Sequence, residues 1–190
     1  MGEGLSGLRP GSRDDFDRLY LHTHPRVVRT LTAVLGDAAA AEDCAQEAFV
    51  RAWRAWPRWR PEAPVEAWLY RIALNVAFSH RRRVRVRQVT ERLLRPGLGR
   101  SDARVDGSPI RQALARLPPR EAAAVMLRHY HGYSRAETAR ILGLTERAVS
   151  LRVARAQAIL VRELGEDWAE GEPLHPLAGS RVTRERDSVG

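Results

Sequence analysis

The sequence contains no lysine: all 32 residues in its lysine-plus-arginine count are arginine. That absence excludes a P-loop, whose lysine reaches the phosphates, and with it a Schiff-base lysine and a kinase-type phosphate lysine. There is one cysteine, Cys44, in the stretch EDCAQEAF. A single thiol forms no disulfide framework and completes no cysteine-based zinc site. It fits a small buried helix residue in a reducing compartment better than a catalytic nucleophile. No apolar run approaches the length of a membrane span and the first residues lack a secretory apolar core, so the expectation is a cytoplasmic protein without membrane insertion. Strand patterns are missing as well: RVRVR at Arg83–Arg87 alternates, but it is too short and too charged to outweigh the helix it extends.

The six histidines include His22-x-His24 and His129-x-His131. On a helix, residues two apart point to different faces, and no second cysteine completes a site, so neither a metal nor a cofactor is expected. Glu42 and Asp43 form a surface carboxylate pair with no nucleophile beside it. Gly97-x-Gly99 stands outside any strand–helix unit and is not a dinucleotide loop. No enzyme chemistry is expected from these residues.

What remains is 190 residues with a formal net charge of +9 and 44% hydrophobic residues, enough for one domain or two small ones. Positive charge of this size points to a negative partner, and arginine's planar fork suits phosphates and base edges. Because every basic residue is arginine, its identity says little and its placement decides.

The pattern is all-α. Phe16, Leu19, Tyr20, Val27, Val28, Leu31 and Leu35 open an apolar helical stripe that stops at Gly36. Asp37 caps a second helix, in which Phe49, Trp53 and Trp56 recur at helical spacing, Phe49 and Trp53 being expected to face inward. Pro57, Pro61 and Pro64 force a loop. A third helix starts near Val65 and runs to about Arg87, with Trp68, Leu69, Ile72, Ala73 and Val76 on one face and Arg71, Asn75, Phe78 and Arg82 on the other. Residues 1–12 are expected to be disordered, 13–87 to form a first helical domain, 88–108 a flexible linker, 109–165 a second small helical domain and 166–190 a polar tail.

The second domain carries the sharper motif. LPPREAAAVMLRHYHGYS reads as a helix with a proline start and Gly132 as its stop. Ser134 and Glu137 form a capping box. In ETARILGLTERAVSLRVARAQ, Ala139 permits close helix approach, Gly143 the tight turn and Thr145 the next cap, which is helix-turn-helix spacing. Val149, Val153, Ala156 and Leu160 line the inner face. Arg147, Ser150, Leu151, Arg152, Ala154 and Arg155 are left on the outer face, suited to a major groove. A stand-alone helix-turn-helix regulator, dimeric on half-sites, is the alternative that this motif alone allows.

The first domain turns the choice. DAAAAEDCAQEAFVRAWRAW followed by WLYRIALNVAFSHRRR resembles region 2 of the sigma factors of bacterial RNA polymerase. ALARLPPREAAAVMLRHYHGYSRAETARILGLTERAVSLRVARA resembles their region 4. The two blocks stand in family order without a region 3 domain, the layout of the extracytoplasmic function (ECF) group, and cover roughly residues 14–164. The resemblance implies that Asp43, Gln46, Glu47 and Arg51 bind the β′ coiled coil of core RNA polymerase, with the β flap as a further contact. It implies that the loop with Trp59, Arg60, Glu62, Ala63 and Pro64 receives a flipped −10 base of promoter DNA. Trp59 is the aromatic expected to be exposed there. Arg71, Asn75 and the Arg81, Arg82 and Arg83 cluster are implied to track the opened strand. The outer face of the last helix is implied to read the −35 element, and an anti-sigma factor is an implied partner. Two departures stand out: Pro64-Val65 replaces the loop's common serine-phenylalanine tip, and Ser150-Leu151 replaces a usual basic-serine pair.

Overall fold

The computed structural model describes residues 5, 7–60, 64–94 and 108–165, with the backbone alone for 91–94. Seven helices account for nearly all of these. The first is α1, Arg13–Leu35. Ser12 caps its start, its hydroxyl accepting from the Asp15 amide at 3.3 Å, and Gly36 closes its end in the left-handed conformation at φ +70°. Helix α2, Ala38–Ala55, starts where the Asp37 carboxylate accepts from the Ala40 amide at 3.0 Å. Ala41, Ala45, Ala48 and Ala52 are fully buried along one side of α2. A stripe of methyl groups lets the α1 and α3 backbones come close, so dispersion contacts accumulate without large side chains.

Helix α3, Val65–Leu94, runs seven residues beyond the expected end near Arg87, into the stretch read as linker. Nothing in QVTERLL breaks a helix, since Pro96 and Gly97 come only later. Its Leu69, Ala73, Leu74, Val76 and Ala77 pack into the core. The N-terminal segment also departs from expectation. Leu8 is buried, and the Trp56 indole donates to the Ser12 carbonyl at 2.8 Å, so residues 7–12 are fastened to the first domain.

The second domain consists of α4 (Pro109–Arg116), α5 (Pro119–Val125), α6 (Arg135–Leu142) and α7 (Glu146–Leu164). After α5 the chain widens through Met126–Tyr130, where the His131 amide donates to the Met126 carbonyl at 3.0 Å, before Gly132 turns it at φ +73°. The capping box is formed in full: the Ser134 hydroxyl accepts from the Glu137 amide at 3.2 Å, and the Glu137 carboxylate accepts from the Ser134 amide at 2.7 Å. These bonds hold the Glu137 carboxyl below its ordinary pKa. Val149, Ala156 and Leu160 are buried as expected, and Val153 half-buried.

The two domains, expected as units on a flexible linker, are docked on each other. Helix α1 packs on α4 and α5, and α3 packs on α6, so one apolar cluster runs through both. His131 sits at the seam. Its Nε2 lies 2.7 Å from the Thr30 hydroxyl, its Nδ1 3.2 Å from the Arg26 guanidinium, and its ring 4.3 Å from that of Tyr70. Arg29 donates to the Tyr130 hydroxyl at 2.6 Å.

Burial first, and then Arg26, depress the His131 pKa from 6.5 to about 3. A free imidazole titrates near 6.5, so the unfolded chain takes up a proton between pH 6.5 and about 3 that the folded chain refuses. Stability therefore falls as pH drops through that window. The expected result is a stability about 2 kcal/mol lower at pH 5 than at pH 7, read from urea unfolding at the two pH values. His131→Gln is expected to remove most of that difference. What remains is assigned to His129, whose pKa is also lowered by burial and by Arg128.

Candidate nucleic-acid interface

Two exposed rows of side chains, one per domain, meet the chemistry of a polyanion. On α3, Arg71, Asn75 and Arg82 are exposed at spacings of four and seven residues and form one row, with Arg83 exposed beside it. At 1.5 Å per residue the row is about 16 Å long. Arg85 and Arg87 are also exposed on the extension of the same helix.

Arg81 does not belong to this row. It turns inward and donates to the Leu35 carbonyl at 2.8 Å, satisfying the open C-terminus of α1 with a cation. Burial lowers its pKa, a sign that it is spent on the fold rather than displayed to a partner. The structure thereby sets Arg81 apart from the exposed row of Arg71, Asn75 and Arg82 with which it was grouped.

The loop before α3 requires a second correction. Trp59, expected to be the exposed aromatic, is 9% exposed and stacks on the fully buried Trp56 with ring centroids 5.0 Å apart and planes 10° apart. Trp68, half-buried, closes the group from 6.4 Å. Three indoles exclude water better against each other than any one does alone, which outweighs the polar loop around Trp59. The Trp59 indole N–H is buried without an acceptor. Arg60 and Pro64 are exposed, while Glu62 and Ala63 lie outside the described residues.

On α2, Asp43 and Gln46 are exposed, and Glu47 is paired with Arg51 one turn on. The structure adds two residues that the motif did not single out. Val50, 48% exposed, stands in the middle of this polar face, and Arg54 extends it. Phe49 faces inward as expected. Trp53 remains 43% exposed, its ring edge-on to Phe16 at 5.0 Å, because the neighbouring position on the inner face is taken by Ala52. An exposed valine within a polar helix face was available in the sequence as a signal.

On α7 the Thr145 hydroxyl accepts from the Ala148 amide at 3.2 Å and caps the helix N-terminus. Arg147, Leu151, Ala154 and Arg155 are exposed, one face at i, i+4, i+7 and i+8. Ser150 is half-buried and its hydroxyl donates to the Glu146 carbonyl of its own helix at 3.2 Å. Arg152 is the third correction. Expected on the outer face, it reaches back to Glu121 of α5 at 3.5 Å, the two side chains being 22% and 11% exposed. A carboxylate that is nearly buried needs a cation, and Arg152 is the one within reach. Glu121 was missed because nothing in the linear pattern pairs it with a residue on another helix.

Among the described residues no group of three or more histidine, cysteine, aspartate or glutamate side chains is placed to hold a metal ion, and no helix is long and apolar enough to cross a membrane.

Comparison with known proteins fits this arrangement. Residues 19–87 match the family Sigma-70 region 2, and residues 108–160 match the family Sigma-70, region 4. The chain is 34% identical over 164 residues to the ECF RNA polymerase sigma factor SigM of Mycobacterium tuberculosis, covering 86% of this chain and 84% of that relative. In fold it is similar to CnrH in complex with the cytosolic domain of CnrY, with a TM-score of 0.60 and 26% identity over 83% of this chain and 92% of that one. It is similar also to RpoE in complex with the anti-sigma factor NepR from Bartonella quintana, with a TM-score of 0.67 and 24% identity over 81% of this chain and 99% of that one. With both regions matched in order and one relative aligned along most of its length, the chain belongs to the ECF family of RNA polymerase sigma factors.

Proposed function

We propose that the chain works in the cytoplasm as a promoter-specificity subunit that acts by binding and carries no catalytic residue. The α2 face of Asp43, Gln46, Glu47, Val50 and Arg51 docks on the β′ coiled coil of core polymerase, and the second domain meets the β flap. Arg71, Asn75, Arg82 and Arg83 follow the backbone of the opened −10 strand, a positive track without sequence information of its own. The base-accepting role is assigned to the segment between Arg60 and Pro64, whose exposed side chains precede the α3 track. An anti-sigma factor is the further partner, in line with the complex of RpoE with the anti-sigma factor NepR and that of CnrH with the cytosolic domain of CnrY.

The observation that carries the proposal is the pair of exposed arginine rows on two domains of one chain. Its test is run-off transcription with purified core enzyme, scoring promoter-specific transcripts that depend on this chain. A chain that binds duplex tightly by itself and gives no core-dependent transcript from any promoter is a regulator of another kind.

The inward turn of Arg81 separates two mutations that sequence alone groups together. Arg82→Glu with Arg83→Glu is expected to slow promoter opening by tenfold or more, assayed by permanganate footprinting, while core binding holds and stability moves by less than about 0.5 kcal/mol. Arg81→Ala instead is expected to lower stability by about 1–2 kcal/mol, because the Leu35 carbonyl loses a charged donor.

On α7 the same logic splits the arginines. Arg155→Ala is expected to weaken −35-dependent binding, its salt slope falling by about one unit if the contact is a phosphate, with melting unchanged. Arg152→Ala is expected to lower the melting temperature, because it strands the Glu121 carboxylate, at a cost of about 1–3 kcal/mol.

A further inference from the structure

The arginines at the far end of the α3 row are unanswered within the fold. Arg82, Arg83, Arg85 and Arg87 are exposed, and none of them forms an ion pair with another described residue. Val86 and Val89 are exposed among them. From residue 82 to residue 87 the helix rises only about 8 Å. Four guanidinium groups on so short a stretch repel one another, and a chain of negative charge laid along it relieves that repulsion.

The sequence itself holds such a chain. After α7 and Gly165 it reads EDWAEGE, residues 166–172, with Glu166, Asp167, Glu170 and Glu172 and no cation. In a chain of net charge +9 this is a local reversal of sign. The fold places the start of the segment. At the last turn of α7 the Glu163 carboxylate accepts from Arg116 of α4 at 2.5 Å. Beside Arg116, the Cβ of Ala115 lies 3.4 Å from a Cβ built on Gly36 at the end of α1. Arg81 of α3 donates to the carbonyl of the adjoining Leu35 at 2.8 Å. Three contacts in series thus link the end of α7 to the α3 turn at which the exposed arginines begin. Arg120 of α5, a helix packed along α7, lies over the Phe78 ring of α3 at 5.4 Å and joins the same regions by a second route. Residues 165–172 reach up to about 26 Å, several times the length of the arginine stretch. The cations nearer to α7 are already answered: Arg116 and Arg162 share Glu163, and Arg152 is paired with Glu121. The outer face of α7 offers Arg147 and Arg155, about two turns apart.

We propose that the acidic segment 166–172 docks on residues 82–87 of its own chain and competes there with nucleic acid. The contact stands on the charges alone, and its competitor rests on the proposed function, which assigns this row to the opened strand. Carboxylates meet guanidinium groups in the same fork geometry as phosphates, so segment and strand exclude each other from one arginine. Trp168, in the middle of the segment, supplies the aromatic surface that suits the exposed Val86 and Val89 and the face of a guanidinium. Surface ion pairs are weak singly, but a tethered segment meets its site at an effective concentration near millimolar. It therefore occupies the row when nucleic acid is scarce and yields to a long polyanion.

Two arms test this on the full chain, and neither uses core enzyme or a promoter. In the first, Ala169→Cys with Val86→Cys sets one thiol in the segment and one on the exposed stretch, while Cys44 stays buried. Under mild oxidation at low salt the monomer is expected to close an internal disulfide about fivefold faster than in 1 M salt, where charges are screened beyond about 3 Å. The same advantage is expected over a chain that also carries Glu166→Gln, Asp167→Asn, Glu170→Gln and Glu172→Gln. Equal rates in all three cases overturn the proposal. A disulfide-linked dimer in place of the closed monomer assigns the segment to a second copy and overturns it as well.

In the second arm, fluorescence anisotropy follows binding of a labelled single-stranded oligothymidine of about 20 nucleotides at low salt. The four neutral substitutions in the segment are expected to tighten binding about fivefold. Removing negative charge strengthens binding to any polyanion, so the comparison is repeated with Arg82, Arg83, Arg85 and Arg87 all changed to glutamine. There the gain is expected to fall below about twofold. An undiminished gain in that background is a general effect of charge and overturns the competition. Every changed position is exposed on α3 or follows α7, and far-ultraviolet circular dichroism checks that the helices are retained. A chain whose segment docks, but which gives no core-dependent transcript, loses the proposed function and keeps the contact. A chain that gives the transcript and shows neither effect loses the contact alone.

Discussion

The organisation of the molecule depends on one buried imidazole. His131 is held neutral between the Thr30 hydroxyl and the Arg26 guanidinium, with the Tyr70 ring against its face. Without that corner the second domain is a unit of fewer than 60 residues, a size at which a chain buries only about 60% of its surface and stands near the limit of independent stability. Docked, its Leu127, Tyr133 and Ile141 join the same apolar cluster as Leu31, Leu69 and Tyr70 of the first domain. The seam thus supplies burial that the helix-turn-helix cannot generate by itself.

A chain whose every cation is arginine assigns one residue type to several physical tasks. Arg81 closes a helix end, Arg152 neutralises a nearly buried carboxylate, and Arg26 and Arg29 join the domains. Arg71, Arg82, Arg83, Arg147 and Arg155 stay in water, where a strong, short-range charge costs little to maintain and is available to phosphate. Guanidinium suits all of these tasks because its five donors form several bonds at once and it stays charged when partly desolvated. Burial, not composition, tells the groups apart.

This is also where legibility in the sequence stops. Caps and turns are local, so Asp37, Ser134 with Glu137, Gly143 and Thr145 were readable from a few neighbouring residues, and the helices and the domain order followed from them. The α2 face and the outer face of α7 were readable from helical periodicity joined to the family resemblance. Arg81, Arg152 and Trp59 were misplaced for a common reason. Each is on a surface-compatible position of its own helix or loop and is drawn inward by a group on another element: Leu35, Glu121 and, nearer in sequence, the Trp56–Trp68 pair. The docking of the domains was invisible for the same reason, since the bond from Thr30 to His131 has no local signature. Periodicity reports which face a residue occupies. It does not report which partner the tertiary structure brings to that face.

The corrected α7 face changes what the second domain can recognise. With Arg152 turned inward and the Ser150 hydroxyl committed to its own helix, the centre of the exposed face is Leu151 and Ala154, flanked by Arg147 and Arg155. Two apolar side chains at the middle of a groove-facing helix make no hydrogen bond to a base edge. On the proposed function they meet thymine methyls, by contact and exclusion of water. Discrimination from such contacts is modest, so register on the duplex falls to the flanking guanidinium groups and the helix N-terminus capped by Thr145. On the same proposal the second domain gains affinity from phosphates and only limited selectivity from bases. On that reading more of the promoter choice falls to the first domain, where Trp56, Trp59 and Trp68 form an aromatic cluster ahead of the α3 track.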